Sequence, residues 1–216
     1  MGILKRGDTN LVERYKMYRK VHKELNGKIM ESCLERDVIL GSARLLGMTR
    51  GDTLVLDSMA ETDILGEFAL NEYKAEGKNA IEIYRETANY NEVERDILNA
   101  LLSSYTSLFE VISVSKAENL LLLNDLMNRR ENIKLIDIAL SESAIPGLLL
   151  FIRLVSFTDF NMTSGTSFAF APNLKRYLFR KHKKLGKKIQ VEDDSTKRFI
   201  SFFKLSKTDG LEVKYE

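Results

Sequence analysis

The spacing of apolar residues changes partway along the chain, and that change restricts the fold more than any count of residue types. Up to about Phe109, apolar positions recur every three or four residues, the repeat of one helix face. Beyond it they gather into short runs rich in β-branched and aromatic residues, divided by polar or turn-forming segments, as strands do. This order of periods predicts an α+β fold: a helical N-terminal half, then a small antiparallel β-meander or barrel of about five strands. The expected division is a helical region at 1–109, a small β domain at 110–171, and a basic helix with a C-terminal hairpin at 172–216.

In the helical part, Leu11, Tyr15, Tyr18, His22, Leu25 and Ile29 form one face, with Asp8, Thr9 or Asn10 as the expected cap. Lys16, Arg19, Lys20 and Lys23 fall on the other side. Leu34, Val38, Leu45 and Leu46 predict a second helix that stops near Gly47. After a short strand or connection at Thr53–Leu56, further helices are expected at Thr62–Lys74, after Gly77 with Ile81 and Tyr84, and from about Asn91. The last of these would carry Val93, Ile97, Leu101, Tyr105 and Leu108 on one face.

Five strands are expected at Phe109–Val114, Leu120–Leu126, Ile133–Leu140, Leu148–Phe157 and Thr166–Phe170. Pro146-Gly147 and Thr163-Ser164-Gly165 read as turns between them. Pro172 suits the first turn of a following helix with Leu174, Leu178 and Leu185 on its apolar side. Phe199, Ile200, Phe202 and Phe203 fit either a buried strand or a helix face, and Asp209-Gly210 favours a terminal hairpin.

The stretch Ser107–Val111, Leu123–Leu126, Pro146-Gly147 and Ile152–Val155 resembles a pattern in uncharacterised bacterial proteins. There a helical region precedes a small β domain, sometimes beside a cysteine-rich metal-binding motif of the kind found in the preprotein translocase ATPase. The resemblance covers about a third of the chain and implies no activity. With Cys33 alone in 216 residues, no metal motif carries over, and neither an internal disulfide nor a paired-cysteine redox site can form. A reducing, cytoplasmic location is expected. Residues 1–10 lack the apolar core of a secretory leader, and Arg6 stands where myristoylation calls for Ser or Thr. The longest apolar runs, 120–123 and 147–152, fall far below the roughly 20 residues of a membrane span, so no membrane partner is expected.

Charge is unevenly placed. Residues 1–30 hold 8 Lys/Arg against 3 acids, residues 31–172 hold 12 against 22, and residues 173–216 hold 13 against 6, giving +5, −10 and +7. The densest block is Lys175, Arg176, Arg180, Lys181, Lys183, Lys184, Lys187 and Lys188, with no carboxylate between Asn173 and Val191. Such a block attracts phosphate backbones or docks on an acidic body. Arg176, Arg180, Lys183, Lys184, Lys187 and Lys188 are the nucleic-acid-binding candidates, with Tyr177 and Phe179 either stacking on bases or completing the core side of the helix.

Catalytic patterns are missing from the sequence. Neither glycine-rich phosphate loop is present, and neither His22 nor His182 belongs to a nucleophile motif. Cys33 reads as a small apolar filler. Asp57, Glu61, Asp63 and Glu67 read as carboxylates complementing a helix start rather than a Mg²⁺ site. Glu212-Val213-Lys214, with Asp193 and Asp194 upstream, has the form of a nuclease tripeptide that charged chains carry by chance. No catalytic, cofactor or metal residue is therefore named. The leading functional expectation is a non-enzymatic intracellular interaction or regulatory module acting through contacts with an unspecified protein partner. Nucleic-acid binding through the basic C-terminal helix is the alternative, and an enzyme with an unrecognised site the third.

Overall fold

The structure, a computed structural model, describes residues 6–211. Helix α1 (Arg6–Cys33) buries Tyr15, Tyr18, His22, Leu25 and Ile29, the face expected from their spacing. It begins earlier than expected, so Asp8, Thr9 and Asn10 lie within its backbone rather than capping it. Helix α2 (Arg36–Leu46) ends at Gly47, whose φ of 78° is the left-handed conformation that a Cβ disfavours. A minimal hairpin of β1 (Thr49–Arg50) and β2 (Thr53–Leu54) follows, then α3 (Met59–Asn71), α4 (Ala80–Thr87) and α5 (Glu92–Leu102). Asn79 and Asn91 start α4 and α5 with reciprocal capping boxes, to Glu82 and Glu94 respectively.

The switch to strands comes at Tyr105 rather than Phe109. Tyr105 and Leu108 belong to β3 (Tyr105–Ser115), not to the preceding helix, because Ser103 and Ser104 close α5. The other strands are β4 (Leu120–Asp125), β5 (Arg130–Ile136), β6 (Leu149–Ser156) and β7 (Asn161–Phe170). The third expected strand stops short of Leu140: Asp137 caps a short helix α6 (Ile138–Ser143) through Leu140 N at 3.1 Å. Thr163-Ser164-Gly165 is no turn either. It lies inside β7, where the register against β6 shifts between Ile152 and Leu154 and Gly165 takes a φ of 128°.

The strands do not form an antiparallel meander. Antiparallel ladders join β5 to β4, β4 to β3, β3 to β6 and β6 to β7, and one parallel pair, Leu135 with Asn161, links the two end strands. The sheet is thus mixed and strongly curled, with a seam one pair long. Its concave side is filled by Phe109, Val111, Leu121, Leu123, Leu135, Leu150 and Ile152. Helices cover the convex side in two groups. Residues of α1, α4 and α5 pack on Val155, Phe160 and Met162, while those of α2, α3 and the C-terminal helices pack on Leu149, Phe151, Phe168 and Phe170. Strand β6 is therefore buried on both faces, which explains its unbroken apolar run.

The chain closes with a 3-10 turn at Pro172–Leu174, helix α7 (Lys175–Gly186) and helix α8 (Asp194–Asp209). Helix α8 replaces the first strand of the expected hairpin. Asp193 accepts a hydrogen bond from Thr196 N at 2.9 Å, and Phe199, Phe202 and Phe203 share a face stacked on β6 and β7. The Phe151 and Phe202 rings stack 4.3 Å apart. Among the described residues after α8, Leu211 pairs with the sheet, donating to Ala169 O at 2.8 Å, and Glu212–Glu216 lie outside the described residues.

Candidate functional site

Helix α7 carries the basic block. Leu178 is wholly buried, Leu174 and Leu185 are half-buried, and His182 stacks on Phe202 of α8 with ring centroids 5.2 Å apart. This fixes which side faces out. Arg176, Arg180, Lys183 and Lys187 recur at helical spacing with Lys184 and Lys188 beside them, and all six are exposed. Among the described residues none of the six side chains forms an ion pair or hydrogen bond. The two remaining cations are engaged: Lys175 reaches Glu110 at 2.7 Å, and Lys181 sits 5.3 Å from the Tyr177 ring centre. Tyr177 and Phe179 pack in the core side of the helix, and Tyr177 donates to Asp209 at 3.1 Å, so neither stands free as a stacking platform.

The outward face is electrostatically strained against itself. Within the helix, Arg176/Arg180 and Arg180/Lys184 are like-charge pairs four apart, which together cost about 0.5–1 kcal/mol, and Lys187 and Lys188 add charge in the turn that follows. Lys183 and Lys184 offset part of this by lying in the last turn, where the helix dipole favours cations.

The other residues singled out from sequence are absorbed into packing. Glu61 accepts from Asp57 N at 2.6 Å and pairs with Lys207 of α8 at 2.6 Å, while Asp63 is exposed. The hydrogen bond to Glu61 holds the Lys207 ammonium above its usual pKa. Among the described residues no His, Cys, Asp and Glu cluster has metal-site geometry. Cys33 is half-buried, and burial pushes its thiol up, opposite to what a nucleophile needs. Burial, with the nearby Arg198 guanidinium, lowers His182. Burial, with Arg19 as the smaller cause, lowers His22 to about 4. Asp193 caps α8 and pairs with Lys74 at 3.3 Å, whereas Asp194 is exposed. Glu212-Val213-Lys214 lies outside the described residues.

Two charged constellations escaped the sequence reading. Arg153, 5% exposed on β6, donates to Glu67 at 2.9 Å, to Glu72 and to Ser104 at 3.1 Å. Burial opposes its charge, but attraction from Glu72 and Glu67 keeps its pKa raised. An arginine within the apolar run Leu149–Val155 was the available signal. The second is a clasp: Arg19 donates to Asp137 at 2.9 Å, to Thr163 Oγ1 at 2.8 Å and to Thr163 O at 2.6 Å. It borders an open cavity of about 1050 Å³ between α1, α3, α6 and β7. Nothing in local sequence joins these distant positions.

A family model described as a family of unknown function (DUF7986) matches residues 9–216. The chain belongs to DUF7986. The DUF7986 match takes in the helical part, the sheet, α7 and α8. No curated protein and no solved structure matches the chain. Among the described residues, no helix is long and apolar enough to cross a membrane.

Proposed function

We propose that this DUF7986 protein binds nucleic acid through the cationic face of α7, gripping the phosphate backbone rather than reading bases. The observation that carries this reading is the solvent exposure of Arg176, Arg180, Lys183 and Lys184 on one face of α7 and of Lys187 and Lys188 in the turn that follows it. Had the block docked on the acidic middle of the chain, protein contacts would have remained the stronger reading. From Arg176 to Lys184 the helical face is about 12 Å long, a length over which duplex DNA presents about seven charges. Bringing phosphates to it relieves the repulsion among the six cations. The packing of Tyr177 and Phe179 favours backbone contacts over base stacking.

Fluorescence anisotropy of a labelled 20-mer duplex over a salt series tests the proposal. Six neutralised phosphates give a slope of log K against log salt of about −5 on duplex and about −4 on a single strand. Lys183→Glu with Lys187→Glu should flatten the slope by about 2 and weaken binding at low salt. Lys16→Glu with Lys20→Glu, on the exposed side of α1, should not. Equal affinity of the wild type and the α7 double variant would sink the idea.

A further inference from the structure

The cavity between α1, α3, α6 and β7 has no residue of α7 in its lining, and its chemistry differs from that of the cationic face. One stripe of α1 (Arg19, His22, Asn26, Met30) forms one wall, and a stripe of α3 (Ile64, Glu67, Leu70) forms another. Helix α6 and the bulged part of β7 complete it. At about 1050 Å³ it is large enough for an organic molecule of substantial size.

Apart from the exposed Lys23 and Asp63, its charges are already answered from within the protein. Arg19 is held by Asp137 and Thr163, Glu67 by Arg153, and Glu142 lies 3.5 Å from Lys116. Lys23 and Asp63 stand exposed at the mouth and oppose each other in sign. What remains inside without a partner is neutral. His22 is 2% exposed, lines the cavity and has no hydrogen-bond partner among the described residues. The Ser164 hydroxyl, buried on the β7 side, is likewise unpartnered. Buried polar groups are ordinarily satisfied, so the orphaned Ser164 hydroxyl on the β7 side, with the His22 imidazole on the α1 wall, marks where a bound molecule's polar end belongs. Ile64, Leu70 and Leu140 offer its body an apolar surface.

From this arrangement we propose that the cavity is a binding site for an uncharged amphipathic small molecule, whose hydroxyl or carbonyl head hydrogen-bonds His22 and Ser164 while its apolar body lies along α3 and α6. Beside His22 and Ser164 a carboxylate or an ammonium would find no free counter-charge, because Lys23 and Asp63, the charges of the lining without an ion pair among the described residues, are exposed. The uncharged dye Nile red reports occupancy by fluorescence, and decanol, decanoate and decyltrimethylammonium compete for it.

Wild-type protein should bind Nile red saturably, with decanol displacing it at least tenfold more effectively, relative to its chain's own micelle-free concentration, than either charged analogue. Space for a blocking variant exists on two walls. A Cβ at Gly27 would meet nothing within 4 Å, and Ala139 is exposed on α6. Gly27→Phe and Ala139→Phe should each weaken Nile red binding about tenfold while leaving the thermal transition cooperative. His22→Leu and Ser164→Ala should each weaken decanol about three- to tenfold, the loss of one hydrogen bond. Decanoate competing as well as decanol, or both blocking variants binding dye as tightly as wild type, overturns the proposal. The α7 double variant should bind the dye normally, so this test and the nucleic-acid test fail independently.

Discussion

His22→Leu should change how the protein responds to acid. Burial and the nearby Arg19 charge hold the folded imidazole at about 4, against an ordinary 6.5. Above about pH 7.5 the imidazole is neutral in folded and unfolded chains alike and contributes nothing to pH dependence. As pH falls through 6.5 the unfolded chain takes up a proton that the folded chain refuses, so stability drops until the folded imidazole also titrates near 4. The loss is about 1 kcal/mol at pH 5.5, about 2–3 kcal/mol at pH 4.5 and about 3 kcal/mol in the acid limit. For a chain of this length that corresponds to about 5–10 °C in Tm at pH 4.5. Carboxylates titrate in the same range, so the informative quantity is the difference between proteins. Urea unfolding followed by circular dichroism at about pH 7.5, 5.5 and 4.5 should give His22→Leu the flatter profile, whatever its stability at neutral pH. Profiles that stay parallel within about 0.5 kcal/mol would show that the folded imidazole accepts its proton normally and that its burial carries no such penalty.

Arg153→Met should cost about 3–5 kcal/mol at neutral pH, since it strands Glu67 and Glu72 as buried carboxylates without a cation. Converting both glutamates to Gln in the same chain should recover most of that loss in urea unfolding, and no recovery would assign the damage to packing instead. Gly27→Ala should stabilise the protein by about 0.5–1 kcal/mol in the same assay, because the residue sits inside α1 with open space where the methyl would go. A destabilised Gly27→Ala would mean that α1 is not continuous there.

The elements easiest to read were those whose packing partner is implied by their own periodicity. Tyr15, Tyr18, Leu25 and Ile29 named the buried face of α1 without help from the rest of the chain. Phe199, Ile200, Phe202 and Phe203 could not do the same. A run of that length fits a strand buried on both sides as well as a helix, and the deciding partners, Phe151 and Phe168, lie on strands about 30–50 residues away. The path of β6 back to β3 was also beyond local reading, because hairpin signals specify neighbours in sequence and not crossovers. For the candidate interface, the sequence supplied the cations and their helix, but exposure depended on Leu178 and His182 choosing α8. The cavity left no trace at all, since His22 and Ser164 each look ordinary alone and meet only through tertiary structure.

The one-pair seam between β5 and β7 leaves sheet edges that another copy of the chain could extend, and each is blunted differently. On β5, Arg130, Glu131, Asn132 and Lys134 are exposed, and Arg129 and Asn132 take positive φ angles that bend the strand out of a flat template. On β7, Arg19 places its guanidinium on the Thr163 carbonyl, the position a neighbouring strand's amide would occupy. Charge and twist on one side and a helix-borne plug on the other discourage edge-to-edge polymerisation. An arginine of the first helix thus stands where a further strand would pair, at the place where the sheet is least complete.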